Sequence, residues 1–135
     1  MEDDIFIDTN LWIYLYSDKE KGDMIRRFID EHYEEIVIST QVIGEVFSVL
    51  TKKGFTSRKE AQEIADDLIE NFKVVPINET TAKQAIYICC KYEYSYWDSL
   101  IIAAALENNC SRLLSEDLQG NQIIDSKLKI VNPFV

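Results

Sequence analysis

Four acidic residues stand where short apolar runs give way to amphipathic ones, and together they have the makings of a metal site. Asp8 follows Ile5-Phe6-Ile7 and opens Asp8-Thr9-Asn10; Glu45 lies between Ile43 and Val46-Phe47; Asp98 follows Tyr96-Trp97; Asp117 closes Ser115-Glu116-Asp117. Carboxylates brought together repel one another unless a divalent cation or raised pKa values relieve them. An oxygen-only donor set suits Mg²⁺ or Mn²⁺, which take a few protein carboxylates and keep waters for a substrate. Each acid also has a purely structural reading. Asp8-Thr9-Asn10 is a favoured helix cap, Asp98 is the third residue of a box capped by Ser95, Asp117 suits a turn ahead of Gly120, and Glu45 fits a solvated helix face. Glu45 resists that reading best, because an acid among apolar neighbours needs a partner.

Other chemistries have less to work with. The single histidine, His32, falls at the exposed end of an amphipathic segment, so histidine-based triads lack a base. Cys89, Cys90 and Cys110 are odd in number, two are adjacent, and no CxxC or Cys/His spacing suggests zinc. A reducing, cytoplasmic setting is expected.

The elements that must position the acids read as strands alternating with helices. Ile5–Ile7 predicts a first strand, followed by a helix over Leu11–Tyr16 and another around Met24, Ile25, Phe28 and Ile29. Ile36–Ile38 predicts a second strand, and a helix starts near Thr40. Ser57-Arg58-Lys59-Glu60 is a capping box, with Ala61, Ile64, Ala65, Leu68, Ile69 and Phe72 following at helical spacing. Val74–Ile77 is a third strand stopped by Pro76, and Asn78 caps the next helix. Ser95 opens the most apolar helix, which runs through Leu100–Leu106, and Arg112–Ser115 and Lys129–Val131 add two short strands. The expected fold class is α/β: one domain over residues 1–135, with a mainly parallel sheet of four to five short strands and helices on both faces. Ligands of such sheets bind beyond the carboxyl ends of the strands, which is where the four acids fall.

Size and charge bound the reading. The 135 residues carry 47% hydrophobic and 28% charged side chains, enough for one core. Fourteen Lys+Arg stand against 24 Asp+Glu, a net charge of −10 that excludes a generic basic nucleic-acid binder. The start, Met1-Glu2-Asp3-Asp4, is acidic where a secretion signal is basic, and Leu100–Leu106 is too short to span a bilayer, so no membrane association is expected. Basic residues occur in pairs. Lys52-Lys53 and Arg58-Lys59 flank Gly54 and form a candidate phosphate-binding rim, or equally a solvated pair of helix ends. Trp12, Tyr14, Tyr16 and Phe47 are candidates for base stacking or a partner groove but suit the core or an interface better. Tyr87, Tyr92, Tyr94, Tyr96 and Trp97 suggest a surface of amphipathic rings.

The ordered set Asp8-Thr9-Asn10, Glu45, Tyr96-Trp97-Asp98-Ser99-Leu100-Ile101 and Leu114-Ser115-Glu116-Asp117-Leu118 resembles the PIN-domain nucleases, particularly the VapC-type toxins of prokaryotic toxin–antitoxin pairs. The resemblance covers essentially the whole chain, including Ile130-Val131-Asn132-Pro133-Phe134. It implies a Mg²⁺- or Mn²⁺-dependent endoribonuclease in which Asp8, Glu45, Asp98 and Asp117 form the acidic metal site. Asp8 and Asp98 are then direct ligands, while Glu45 and Asp117 bind directly, through water or to a second ion. Thr9, Asn10 and Ser115 match positions that orient ligands or water, with Ser115 standing where the family often has threonine. Cleavage leaving 5′-phosphate and 3′-hydroxyl ends, a homodimer, and a basic antitoxin covering the acidic pocket are further implications. Two rivals fit less well. A phosphatase or phosphotransfer domain using Asp8 as nucleophile wants a second acid where Asn10 stands, or an acid pair at the strand's end. A PIN-like module that binds a partner without cleaving remains distinguishable by assay.

Overall fold

Ile5, Phe6 and Ile7 are all fully buried, so strand β1 (Ile5–Ile7) is covered on both faces, as its lack of alternation predicts. Strand β2 (Ile36–Ser39) is likewise buried along its length. The computed structural model describes residues 3–135. Met1 and Glu2, half of the acidic N-terminus, lie outside the described residues.

Helices α1 (Thr9–Ser17) and α2 (Lys19–Glu31) link β1 to β2; α3 (Thr40–Lys52) and α4 (Arg58–Asn71) link β2 to β3 (Lys73–Val75); α5 (Glu79–Tyr92) and α6 (Tyr96–Glu107) link β3 to β4 (Arg112–Leu114). Strands β5 (Ile123–Ile124) and β6 (Leu128–Val131) close the chain. The sheet runs in the order β3-β2-β1-β4-β6-β5, parallel throughout except for β5. The helices pack in two groups, α1 to α4 and α5 with α6.

The sheet therefore has six strands where four to five are expected from the sequence. The addition is β5, two residues long and antiparallel to β6. So short a strand shows no alternation, and its turn uses Asp125 and Ser126 at φ 50° and 59° instead of a glycine-bearing hairpin pair. Strand β3 begins at Lys73 and ends at Val75, earlier than the apolar run suggests, because Pro76 has no N–H to offer the ladder.

Helix α6 is buried from Ser99 to Ala105, consistent with its uniformly apolar sequence. Trp12 is also a core residue, 1% exposed, with its indole N–H donating to the Ile7 carbonyl at 3.1 Å. Helices α1 and α2 meet so closely at Gly22 that a Cβ there would lie 2.4 Å from the Tyr14 carbonyl oxygen. His32 caps the C-terminal end of α2, half-buried, with Nδ1 2.9 Å from Glu35. Among the described residues no helix is long and apolar enough to cross a membrane.

From β1 the chain moves outward through β2 to β3 on one side, then returns to lay β4 on the other. The order reverses between β1 and β4. A crevice at such a reversal, beyond the carboxyl ends of the strands, is where open parallel sheets bind ligands.

Candidate active site

At the end of β1, Asp8 occupies the N-cap of α1, and its Oδ1 accepts from the Thr9 amide at 2.7 Å. The other carboxylate oxygen, Oδ2, accepts from Ser115 Oγ at 2.8 Å, directly beyond β4. Neighbouring strands thus present an acid and a hydroxyl to each other across the reversal. Ser115 Oγ in turn accepts from the Asp117 and Leu118 amides, each at 3.2 Å, and the buried Leu118 pins this turn to the core. The capping reading of Asp8 and the turn reading of Asp117 are both correct descriptions of the backbone. Neither exhausts the side chain, because both residues also line one open cleft.

That cleft, about 310 Å³, is lined by Asp8, Thr9, Asn10, Glu45, Ser48, Val49, Trp97, Asp98, Ile101 and Asp117. All four acids singled out from the sequence meet there. Ser115 lies just beneath, fully buried. Glu45 has the partners its apolar setting demands: Thr9 Oγ1 donates to Oε1 at 2.6 Å and Gln41 Nε2 to Oε2 at 3.3 Å. Asn10 Nδ2 donates to Asp117 Oδ2 at 2.6 Å. Asp98 sits in the first turn of α6, where Ser95 Oγ accepts its amide at 3.1 Å, and its carboxylate accepts no hydrogen bond among the described residues.

The electrostatics centre on Asp8. Burial pushes its carboxyl up to about 6, Ser115 and the Thr9 amide hold it down in part, and the charges of Asp117 and Asp98 push it further up. An ionised Asp8 here lacks counter-charge. Among the described residues no three acid, histidine or cysteine side chains form a ready-made cage for an ion. The cleft nevertheless fits a hard divalent cation: its donors are all oxygens, they repel one another, and Mg²⁺ commonly takes only one or two carboxylates and completes its shell with water.

Lys52, Lys53, Arg58 and Lys59 are all exposed and none lines the cleft. Glu45, Ser48, Val49 and Lys52 fall at i, i+3, i+4 and i+7, so Lys52 extends the cleft-facing stripe of α3 by one turn.

A model of the PIN domain matches residues 5–123. The chain belongs to the PIN-domain family. Solved structures repeat this PIN fold across nearly their whole length. A toxin–antitoxin complex from Klebsiella pneumoniae is 19% identical with TM-score 0.73, covering 96% of this chain and 97% of its own. DNA-bound VapBC from Salmonella typhimurium is 16% identical with TM-score 0.74, at 95% and 96% coverage. VapC20 of Mycobacterium tuberculosis, a sarcin–ricin-loop-cleaving toxin, is 19% identical with TM-score 0.68, at 84% and 91%. At these identities the likeness is one of fold. A search of curated protein sequences returns no match.

Several residues around the PIN-domain cleft escape a reading of the sequence alone. Gln41 joins α3 to α6, its Nε2 reaching both Glu45 and the Trp97 carbonyl, the latter at 3.4 Å. Glu116 accepts from Tyr14 Oη and from Lys21 Nζ, the latter at 2.6 Å, and Lys21 lies over the Tyr14 and Phe134 rings. This cluster fastens the turn that carries Asp117 to α1, α2 and the C-terminal segment. Lys21 and Tyr14 hold the Glu116 carboxyl below its ordinary range. Helical spacing from Glu45 gives a signal for Ser48 and Val49. Glu116 offers none, since its partner Lys21 is 95 residues away.

Proposed function

We propose that this PIN-domain protein is a divalent-metal-dependent endoribonuclease and the toxin of a toxin–antitoxin pair. The observation that carries the reading is the meeting of Asp8, Glu45, Asp98 and Asp117 in one cleft at the sheet's reversal point. Asp8 and Asp98 would hold the ion directly, and Glu45 and Asp117 would bind it directly, through water or hold a second one. When bound, Mg²⁺ or Mn²⁺ supplies positive charge to a phosphodiester and lowers the pKa of a water.

The chain's own groups do the rest. Ser115 and the Thr9 amide fix both oxygens of Asp8, so the carboxylate cannot rotate away. Thr9 and Gln41 fix Glu45, and Asn10 fixes Asp117. Each acid keeps lone pairs for an ion or for a proton leaving an attacking water. Lys52 and Lys53, with Arg58 and Lys59 beyond Gly54, supply cationic contacts to flanking phosphates and give binding its salt dependence.

Partners follow from charge and from the family's company. The structural neighbours include toxins in complex with antitoxins. A net charge of −10 and an acid-lined cleft suit a basic antitoxin segment that covers the site, in a cytoplasmic homodimer.

The test is cleavage of transfer, ribosomal and messenger RNA by purified protein with Mg²⁺, Mn²⁺ or EDTA, alongside Asp98→Asn. Cleavage that needs the metal and is lost in a folded Asp98→Asn supports the reading. Full activity in Asp98→Asn overturns the metal site. Calorimetric Mn²⁺ binding without turnover on any RNA favours a binding module.

A further inference from the structure

The cleft has a second wall that the acids leave unexplained. Trp97 is 65% exposed, more than any other aromatic ring among the described residues. A tryptophan side chain hides 150–250 Å² when covered, so leaving one in water forfeits much of its hydrophobic gain. Its backbone is tied to α3, where the Trp97 carbonyl accepts from Gln41, and its ring meets Tyr96 edge-on at 5.1 Å and 76°. It forms the cleft wall with Val49, Ile101 and the Ser48 hydroxyl. An exposed, oriented indole beside two apolar side chains and one hydrogen-bonding group matches what a planar heterocycle needs.

The charge around it points the same way. No lysine or arginine lines the cleft itself, so inside it phosphate meets no cationic side chain and the acids oppose it. The uncharged part of a nucleotide is then the part this wall can grip without an ion. A volume of about 310 Å³ lies at the small end of ligand sites and is of the size of one nucleotide.

We propose that Trp97, Val49, Ile101 and Ser48 form a nucleobase subsite, in which the Trp97 indole stacks on one unpaired base of single-stranded RNA beside the scissile phosphate and Ser48 contacts the base edge. This rests on the nuclease reading for its substrate class. The subsite makes single-stranded or looped RNA the favoured substrate, since a base within a helix cannot present its face.

The experiment combines kinetics with fluorescence. With Mg²⁺, Trp97→Ala should raise KM about tenfold while kcat stays within about twofold, and Trp97→Tyr should recover most of the loss. An abasic nucleotide moved along an oligoribonucleotide substrate should cost wild type about tenfold at one position and cost Trp97→Ala nothing there. With Ca²⁺ in place of Mg²⁺, hexanucleotides of U, A, C or G should shield Trp97 from acrylamide, while the buried Trp12 provides a constant background. Unchanged KM in Trp97→Ala, or a flat abasic scan, overturns the subsite even if the protein cleaves RNA. Shielding by intact oligonucleotides that an abasic nucleotide at one position removes, in a protein that cleaves nothing, overturns the nuclease reading and leaves the subsite standing. If Trp97→Ala instead converts a dimer to monomers in sedimentation and the abasic scan is flat, the ring is a contact between chains and the subsite is wrong.

Discussion

Ser115 Oγ donates to Asp8 Oδ2 at 2.8 Å while accepting the amides of Asp117 and Leu118. One hydroxyl therefore couples the acid after the first strand to the acid after the fourth. Among the described residues it also supplies the only side-chain hydrogen bond to Asp8, which is 8% exposed.

Removing that hydroxyl should be costly twice over. Ser115→Ala leaves a buried carboxylate oxygen and two turn amides without their partner, a loss of about 1–3 kcal/mol of stability. Cleavage should fall in parallel, because Asp8 is free to turn and Asp117 loses its anchor. Ser115→Thr keeps the hydroxyl and should restore both. Urea unfolding and a cleavage assay on the two variants check this; a fully active Ser115→Ala would show that the bond is incidental.

Asp8 predicts an unusual pH dependence. Its folded pKa is about 6 against an ordinary value of 3.8, so between these pH values the native state keeps a proton that the unfolded chain releases. Stability therefore falls as pH rises from about 4 to about 6 and levels off above, by about 3 kcal/mol at most. Asp8→Asn should lack this decline, matching wild type near pH 4 and exceeding it above pH 6.5, while losing activity. Unfolding curves for the pair across pH 4–8 are the measurement, and parallel curves would refute the assignment. Protons and Mn²⁺ compete for the same carboxylate, so Mn²⁺ affinity should climb through the same window.

Glu116 acts on Asp117 through the turn they share. Its contacts with Lys21 and Tyr14 are half-buried and still reached by solvent, so Glu116→Gln and Lys21→Met should shift Tm by only about 2–4 °C. Amide hydrogen exchange at Asp117 and Leu118 should nonetheless quicken several-fold, and cleavage should drop with it. Unaltered exchange at those two amides would mean that Ser115 alone holds the turn.

Gly22 tests the packing beneath the site. A Cβ at this position would lie 2.4 Å from the Tyr14 carbonyl oxygen, a backbone atom that cannot swing aside. Gly22→Ala should destabilise by about 1–3 kcal/mol despite alanine's better helix propensity. Gly44 has open space around it, and Gly44→Ala should stabilise or leave stability unchanged. Thermal unfolding of the two variants side by side makes the comparison.

The fold was legible where local chemistry acts alone. Ser57 and Glu60 form the reciprocal capping box that their spacing announces, and Ile5–Ile7 and Ile36–Ile38 read as doubly covered strands because no polar residue interrupts them. The positions of Asp8 and Asp117 just beyond strands could be read the same way, since strand and helix boundaries carry short-range signals. What escaped depends on distant pairs. The partners Thr9 and Glu45 are 36 residues apart, Asn10 and Asp117 are 107 apart, and a two-residue β5 is set by β6 and not by its own pattern. The cleft-facing role of Trp97 escaped for a different reason: an aromatic next to a buried helix suits an interface as well as a pocket, and only its 65% exposure inside the cleft separates the two.

The reversal of strand order between β1 and β4 also sets when the cleft can form. Asp8 leaves the ribosome early, but its partner Ser115 follows 107 residues later, and Asp117 two residues after that. Contacts of such long sequence separation form late, after the intervening chain has been ordered. A polypeptide ending before β4 holds Asp8, Glu45 and Asp98 but neither Asp117 nor the Ser115 hydroxyl that orients Asp8. The topology thus delays assembly of the cleft until β4 and the turn beyond it have joined the sheet.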